Sequence, residues 1–142
     1  MSSITESLER VAREYGVVAL YAFGSRCDEF AARVRGKPVP PGPPASDMDI
    51  AVQLERGRRF SARERVTLTV ALEDLLEVGR VDLVVLAEAD PFLAVEIIRG
   101  ELLYSEDPVS QAEDELYVLR RAGDLARYAR ERQDLVLAEG AR

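Results

Sequence analysis

Residues 47–54, Asp47-Met48-Asp49-Ile50-Ala51-Val52-Gln53-Leu54, narrow the choice of folds more than any other stretch. Successive side chains of a strand point to opposite faces. Met48, Ile50, Val52 and Leu54 therefore make one wholly apolar face. Asp47 and Asp49 share the other, about 7 Å apart at a rise of roughly 3.3 Å per residue. Carboxylates at that spacing repel unless a cation lies between them. Hard oxygen donors of this kind suit Mg²⁺ or Mn²⁺.

Two further runs read as strands of the same sheet. Residues 17–23, Val-Val-Ala-Leu-Tyr-Ala-Phe, are apolar on both faces, as in a central strand. Gly24-Ser25 follows at once, where a small residue lets the backbone approach a ligand closely. Residues 25–35 are compatible with a helix whose first N–H groups would face an anion. Arg26, in its first turn, either reaches a phosphate or is solvated. The third run, Arg80-Val81-Asp82-Leu83-Val84-Val85-Leu86, carries a lone acid in an aliphatic strand. Such an acid is costly to bury unless paired or metal-bound, and Asp82 joins the site if this strand lies beside residues 47–54. A phosphate cradle next to paired carboxylates is equipment for phosphoryl or nucleotidyl transfer.

Gly24-Ser25, then Asp47-x-Asp49, then Val81-Asp82-Leu83 resembles the polymerase-beta-like nucleotidyltransferase superfamily. The small size and the run Ile97-Ile98-Arg99-Gly100-Glu101-Leu102-Leu103-Tyr104 are similar to its minimal (MntA-type) branch, with the resemblance spanning about residues 4–107. It implies an α/β (α+β) fold: a small mixed sheet flanked by helices, with a helical extension at the C-terminus. It also implies that Asp47 and Asp49 hold Mg²⁺ (or Mn²⁺) on the triphosphate of ATP, with Gly24 and Ser25 at the β and γ phosphates. Asp82 would hold a second metal ion or draw the proton from the acceptor hydroxyl. Members of the branch typically act as antitoxins, placing AMP on a tyrosine of a HEPN-domain RNase toxin. Ser25 and Asp47 stand 22 positions apart, a longer gap than the family usually has, and residues 36–46 fill the excess.

Composition limits the alternatives. A chain of 142 residues makes one domain, here divided into a transferase domain over 1–107 and a helical extension over 108–142. The net charge of -7 argues against a broad nucleic-acid footprint, and it suits a basic protein partner. There is no histidine, which excludes histidine general-base schemes for this chain alone. The single cysteine, Cys27, precludes an internal disulfide and fits a reducing cytoplasm. No signal segment or membrane-length apolar stretch is present.

Helices are expected on either side of these strands. Ser3-Ile4-Thr5-Glu6 has the form of a capping box, with Ile4, Leu8, Val11 and Tyr15 at helical spacing and Gly16 as the stop. Residues 36–46 hold five of the seven prolines and read as a stiff surface insertion, a lid or partner-binding flap being the alternative. The basic turn Arg56-Gly57-Arg58-Arg59 is expected to be solvated. Residues 61–78 read as a helix packing through Val66, Val70, Ala71 and Leu75. Asp90 caps a short helix opening at Pro91, with Phe92, Val95 and Ile98 inward. Residues 101–104 form a last strand or a hydrophobic clasp. Residues 109–138 read as one long helix, an interruption near Gly123 being the alternative, that either folds back on the domain or serves a partner or a homo-oligomer.

Two other functions remain open on the residues alone. One is transfer to a small-molecule hydroxyl; the other is a non-catalytic antitoxin that works by contact. The acids at positions 47, 49 and 82 argue against the latter.

Overall fold

The computed structural model describes residues 3–24, 31–32, 34–36 and 47–140. In chain order these form α1 (Ile4–Glu14), β1 (Val17–Phe23), β2 (Asp47–Leu54), α2 (Ala62–Leu76), β3 (Arg80–Val85), a 3₁₀ turn (Leu86–Glu88), α3 (Pro91–Ile98), β4 (Glu101–Ser105) and α4 (Pro108–Gly140). Residues 31, 32 and 34, ahead of the insertion, are helical.

The strands pair in the order β3-β2-β1-β4. β1 runs antiparallel to both β2 and β4, while β2 and β3 are parallel and joined through α2. The sheet is thus mixed, as expected. Its apolar central strand is β1, and β3 lies at one edge.

Alternation along the strands builds two cores. On one face Met48, Ile50, Val52 and Leu54 of β2 meet Leu20 and Ala22 of β1 and Val81 and Val85 of β3. Leu8 and Ala12 of α1 and Leu68, Leu72 and Leu76 of α2 cover them. On the other face Ala19 and Tyr21 of β1 and Ala51 of β2 meet Ala94 and Ile97 of α3 and Val118 of α4. A register irregularity between Val17 and Ala19 turns Val17 to the first face with Leu20, out of strict alternation. The acids of β2 share the second face, so α3 and α4 determine what surrounds them.

The helix ends follow side-chain chemistry. Ser3 Oγ accepts from the Glu6 N–H at 3.2 Å, and Gly16, at φ 68°, reverses the chain after α1. Ser61 and Glu64 form a full capping box on α2, each side chain bonding the other's backbone N–H at 3.1 Å. Arg58 of the basic turn is structural: its Nη2 donates to Glu64 Oε2 at 2.9 Å. Its side chain also fills the space beside Gly16, where a Cβ would meet Arg58 Cδ at 2.6 Å. Asp90 Oδ1 accepts from the N–H groups of Phe92 and Leu93, both at 3.0 Å, with Pro91 opening α3.

Three expectations are corrected. α2 packs through Leu68, Leu72 and Leu76, whereas Val66 and Val70 are exposed. Both stripes have helical spacing, and the leucine stripe is the one turned toward the sheet. α2 also ends at Leu76, with Glu77 rather than Gly79 in the left-handed conformation, at φ 54°. Phe92 points outward, because Ala94 and Ile97 are the side chains that fit the close approach of α3 to β1. α4 runs unbroken through Gly123, in keeping with the one long helix expected for residues 109–138. There Val118 is buried, and the Tyr21 hydroxyl donates to Glu115 Oε1 at 3.4 Å. Burial, and then the charge of Glu115, keep the Tyr21 phenol far above its ordinary pKa, so it remains a donor.

Among the described residues, no helix is long and apolar enough to cross a membrane.

Candidate active site

Gly24, Asp47, Asp49 and Asp82 come together at one end of the sheet. β2 begins at Asp47, and β3 lies beside it in parallel register, with Asp47 opposite Arg80 and Asp49 opposite Asp82. On the other side of β2, Phe23 at the end of β1 pairs with Asp49. Asp49 therefore stands in the middle, between the end of β1 and Asp82.

Gly24 follows Phe23 at φ 91°, a conformation that L side chains rarely adopt. A Cβ built there would lie 2.7 Å from Asp49 Oδ2. The glycine thus performs two local tasks: it turns the chain, and it leaves room for the Asp49 carboxylate. Ser25, Arg26 and Cys27 lie outside the described residues, as does most of the insertion at 36–46.

The electrostatics follow from this crowding. The Asp49 carboxyl is raised above its ordinary value of 3.8, first by burial and then by the negative charges of Asp82, Asp47 and Glu96. Asp47 is exposed, while Asp49 and Asp82 are partly covered. Asp82 Oδ1 accepts from Arg80 Nε at 3.1 Å, in a pair whose side chains are 69% and 46% exposed. An ion pair so open to water contributes at most about 1 kcal/mol and yields readily to a stronger partner.

Among the described residues, no three His, Cys, Asp or Glu side chains are gathered into a ready metal cage. The donor set nevertheless suits a hard divalent cation. Its oxygens are carboxylates, its central carboxyl is destabilised by neighbouring negative charge, and the glycine beside it leaves space that a Cβ would fill. Mg²⁺ commonly takes only one or two carboxylates and completes its shell with substrate phosphates and water.

Glu96, on α3, has no motif to mark it; its charge is the last of those that raise the Asp49 carboxyl. Gly100, just past α3, presses against the end of β1, and a Cβ there would overlap the Ala22 carbonyl oxygen and come within 3.1 Å of Phe23 Cα. A groove of about 840 Å³ at the opposite end of the sheet is lined by Gln53, Glu55, Glu106, Asp107 and Asp114 and includes none of the four candidate residues.

Comparison with known proteins sets this geometry in context. The sequence profile of the family described as Polymerase beta, Nucleotidyltransferase matches residues 6–109. No curated protein matches the chain. Among solved structures, a mutant of the toxin–antitoxin pair MntA-HpeT is similar with a TM-score of 0.62 at 21% identity, covering 93% of this chain and 94% of that one. A toxin–antitoxin structure with AMP-PNP has a TM-score of 0.62 at 22% identity, with the same coverage of 93% and 94%. A tri-AMPylated Shewanella oneidensis HEPN toxin in complex with MNT antitoxin gives 0.59 at 22% identity, over 94% of this chain and 92% of that one. At these identities the likeness is one of fold.

Proposed function

Because the chain belongs to the polymerase beta nucleotidyltransferase family, we propose that it moves AMP from ATP to a tyrosine of a HEPN-type RNase toxin and so acts as its antitoxin. The observation that carries the transfer chemistry is the register that sets Asp49 between the end of β1 and Asp82, with Gly24 against its carboxylate and Asp47 two residues before it. The choice of acceptor is supported by the fold-level likeness to antitoxins, one from a structure with AMP-PNP and one in complex with a tri-AMPylated HEPN toxin. Residues 1–107 carry the transfer, and residues 108–142 extend it with a helix. The proposed setting is the cytoplasm, which suits the single Cys27.

In this scheme Gly24 and Ser25 cradle the β and γ phosphates by backbone and hydroxyl, with Arg26 beside them. Asp47, Asp49 and Asp82 would hold Mg²⁺ or Mn²⁺. Such an ion, when bound, screens the phosphate oxygens and lowers the cost of charge building up on them. The acceptor oxygen attacks the α-phosphorus in line. A new O–P bond forms as the bond to the bridging oxygen breaks, and pyrophosphate leaves. Asp82 either shares in holding the metal or takes the proton released by the acceptor. Positioning and electrostatics, rather than covalent catalysis, supply the rate.

The test is the intact mass of the product of the adjacent reading frame after incubation with this protein, ATP and Mg²⁺. A gain of one or more AMP units is expected, and Asp47→Asn or Asp49→Asn should abolish it without loss of fold. Retained transfer in both variants would overturn the assignment of the acids. A stable complex with no added mass would point instead to neutralisation by contact. Neither mass gain nor complex would redirect the search to a small-molecule hydroxyl.

A further inference from the structure

α4 outruns the domain to which it is anchored. Its first half is held to the sheet by buried Val118 and by the hydrogen bond from Tyr21 to Glu115. From Arg127 to Ala138 every residue is exposed. At 1.5 Å per residue this is about 18 Å of helix that the domain does not cover. A lone helix of that length is marginal in water, because helices in proteins are stabilised mainly by burying an apolar face. This segment has such a face and leaves it open: Tyr128, Leu135, Val136 and Leu137 are each at least 60% exposed.

The face has a period. Val118, Ala122, Leu125, Ala129, Arg132 and Val136 follow one another at alternating steps of four and three residues. That mean spacing of 3.5 is the seam of a helix that packs along another helix. The stripe begins at the residue buried against the sheet, so the face that anchors α4 continues past the edge of the domain. Arg127, Arg130, Glu131 and Asp134 fall on the opposite side, as in an amphipathic helix.

Two observations select the occupant. The first is charge. Residues 124–138 carry three acids, Asp124, Glu131 and Asp134, and three arginines, Arg127, Arg130 and Arg132. The segment is neutral within a chain of net charge -7. A basic partner gains nothing from a neutral surface, whereas two copies of an acidic chain can meet there without repulsion. The second is self-complementarity, which a two-fold interface requires. With two such helices antiparallel and Leu125 opposite Val136 of the second copy, Tyr128 falls beside Leu135 of the second copy. Ala129 then falls opposite Arg132, whose aliphatic stem can cover it while the guanidinium reaches water. The two-fold axis repeats each pair. We propose that the free half of α4 is a dimerisation arm, paired antiparallel with the same segment of a second copy of this chain. The pairing is independent of the transfer chemistry.

The test is sedimentation equilibrium of the full chain up to about 100 μM, a range that populates even a small interface. Twice the monomer mass is expected. Leu135→Glu and Val136→Glu, both at exposed positions, should each weaken the dimer by roughly 100-fold by setting an unpaired charge in the seam. Arg127→Ala, on the opposite side, should leave it unchanged. Orientation is read by disulfide trapping in a Cys27→Ser background. Leu125→Cys and Val136→Cys proteins should cross-link when mixed and not when either is alone. A monomer throughout the range overturns the proposal, as does a dimer that neither glutamate variant weakens. Cross-linking of either cysteine variant with itself overturns the antiparallel pairing. If the chain stays monomeric and the glutamate variants instead lose binding to the product of the adjacent reading frame, the arm serves a different protein and the proposal fails.

Discussion

Replacing Gly24 by alanine tests the candidate site at its tightest point. Two costs arise. The backbone at φ 91° would have to hold a residue with a Cβ, at roughly 1–2 kcal/mol. The new methyl would also lie 2.7 Å from Asp49 Oδ2, well inside contact distance. Asp49 can escape by turning off its rotamer, at about 0.5–1.5 kcal/mol. The two together predict a loss of about 1.5–3.5 kcal/mol. For a chain of this length that lowers Tm by roughly 5–10 °C. The effect on transfer should be larger, because a carboxylate displaced by about 1 Å can cost about 100-fold in rate. Urea unfolding reads the stability, and initial transfer rates at a temperature where both proteins are folded read the activity. The double variant with Asp49→Ala isolates the contact. With the carboxylate gone, the cost of Gly24→Ala should fall to its backbone part. Additive stabilities, within about 0.3–0.5 kcal/mol, would refute the contact argument.

Two other outcomes follow from the same structure. Asp49 titrates above its ordinary value of 3.8, so its ionised form is disfavoured by folding. The penalty is absent below the unfolded pKa, grows as pH rises towards the folded pKa, and is complete above it. Asp49→Asn should therefore be more stable than the wild type at pH 7, with the gain shrinking as pH falls towards 3.8; a stability difference independent of pH in urea titrations would contradict this. In α2, Leu72→Ala should cost about 2–5 kcal/mol because Leu72 is 0% exposed, while Val70→Ala, at a site 48% exposed, should stay within about 0.5 kcal/mol. Equal midpoints in urea for these two variants would mean that α2 presents a different face to the sheet.

Much of the fold could be read from local pattern. Period-two alternation in residues 47–54 specified a strand with one apolar face, and the run at 17–23 specified a central strand. Asp90-Pro91 marked the start of α3, and Gly16 the end of α1. Each of these signals lies within a few residues of the structure it specifies. The two helix faces were harder. Val66 and Val70 have the same helical spacing as Leu68 and Leu72, so periodicity could not choose between them without knowing which side meets the sheet. Phe92 looked like core for the same reason and proved to border a groove.

By itself, then, the amino-acid sequence determined the strands and most helix boundaries, because hydrogen-bonded caps, backbone sterics and side-chain alternation act over short range. It also supplied Gly24, Asp47, Asp49 and Asp82 as candidates. Only the tertiary structure decided that β3 lies against β2 with Asp82 opposite Asp49, and that Gly24 makes room for the Asp49 carboxylate. The same holds for Gly100, whose close approach to Ala22 and Phe23 sets the end of α3 against β1, and for Tyr21 and Val118, which hold α4 across the sheet. These are contacts between residues far apart in the chain. They depend on how whole elements pack, and no local period or short motif encodes that.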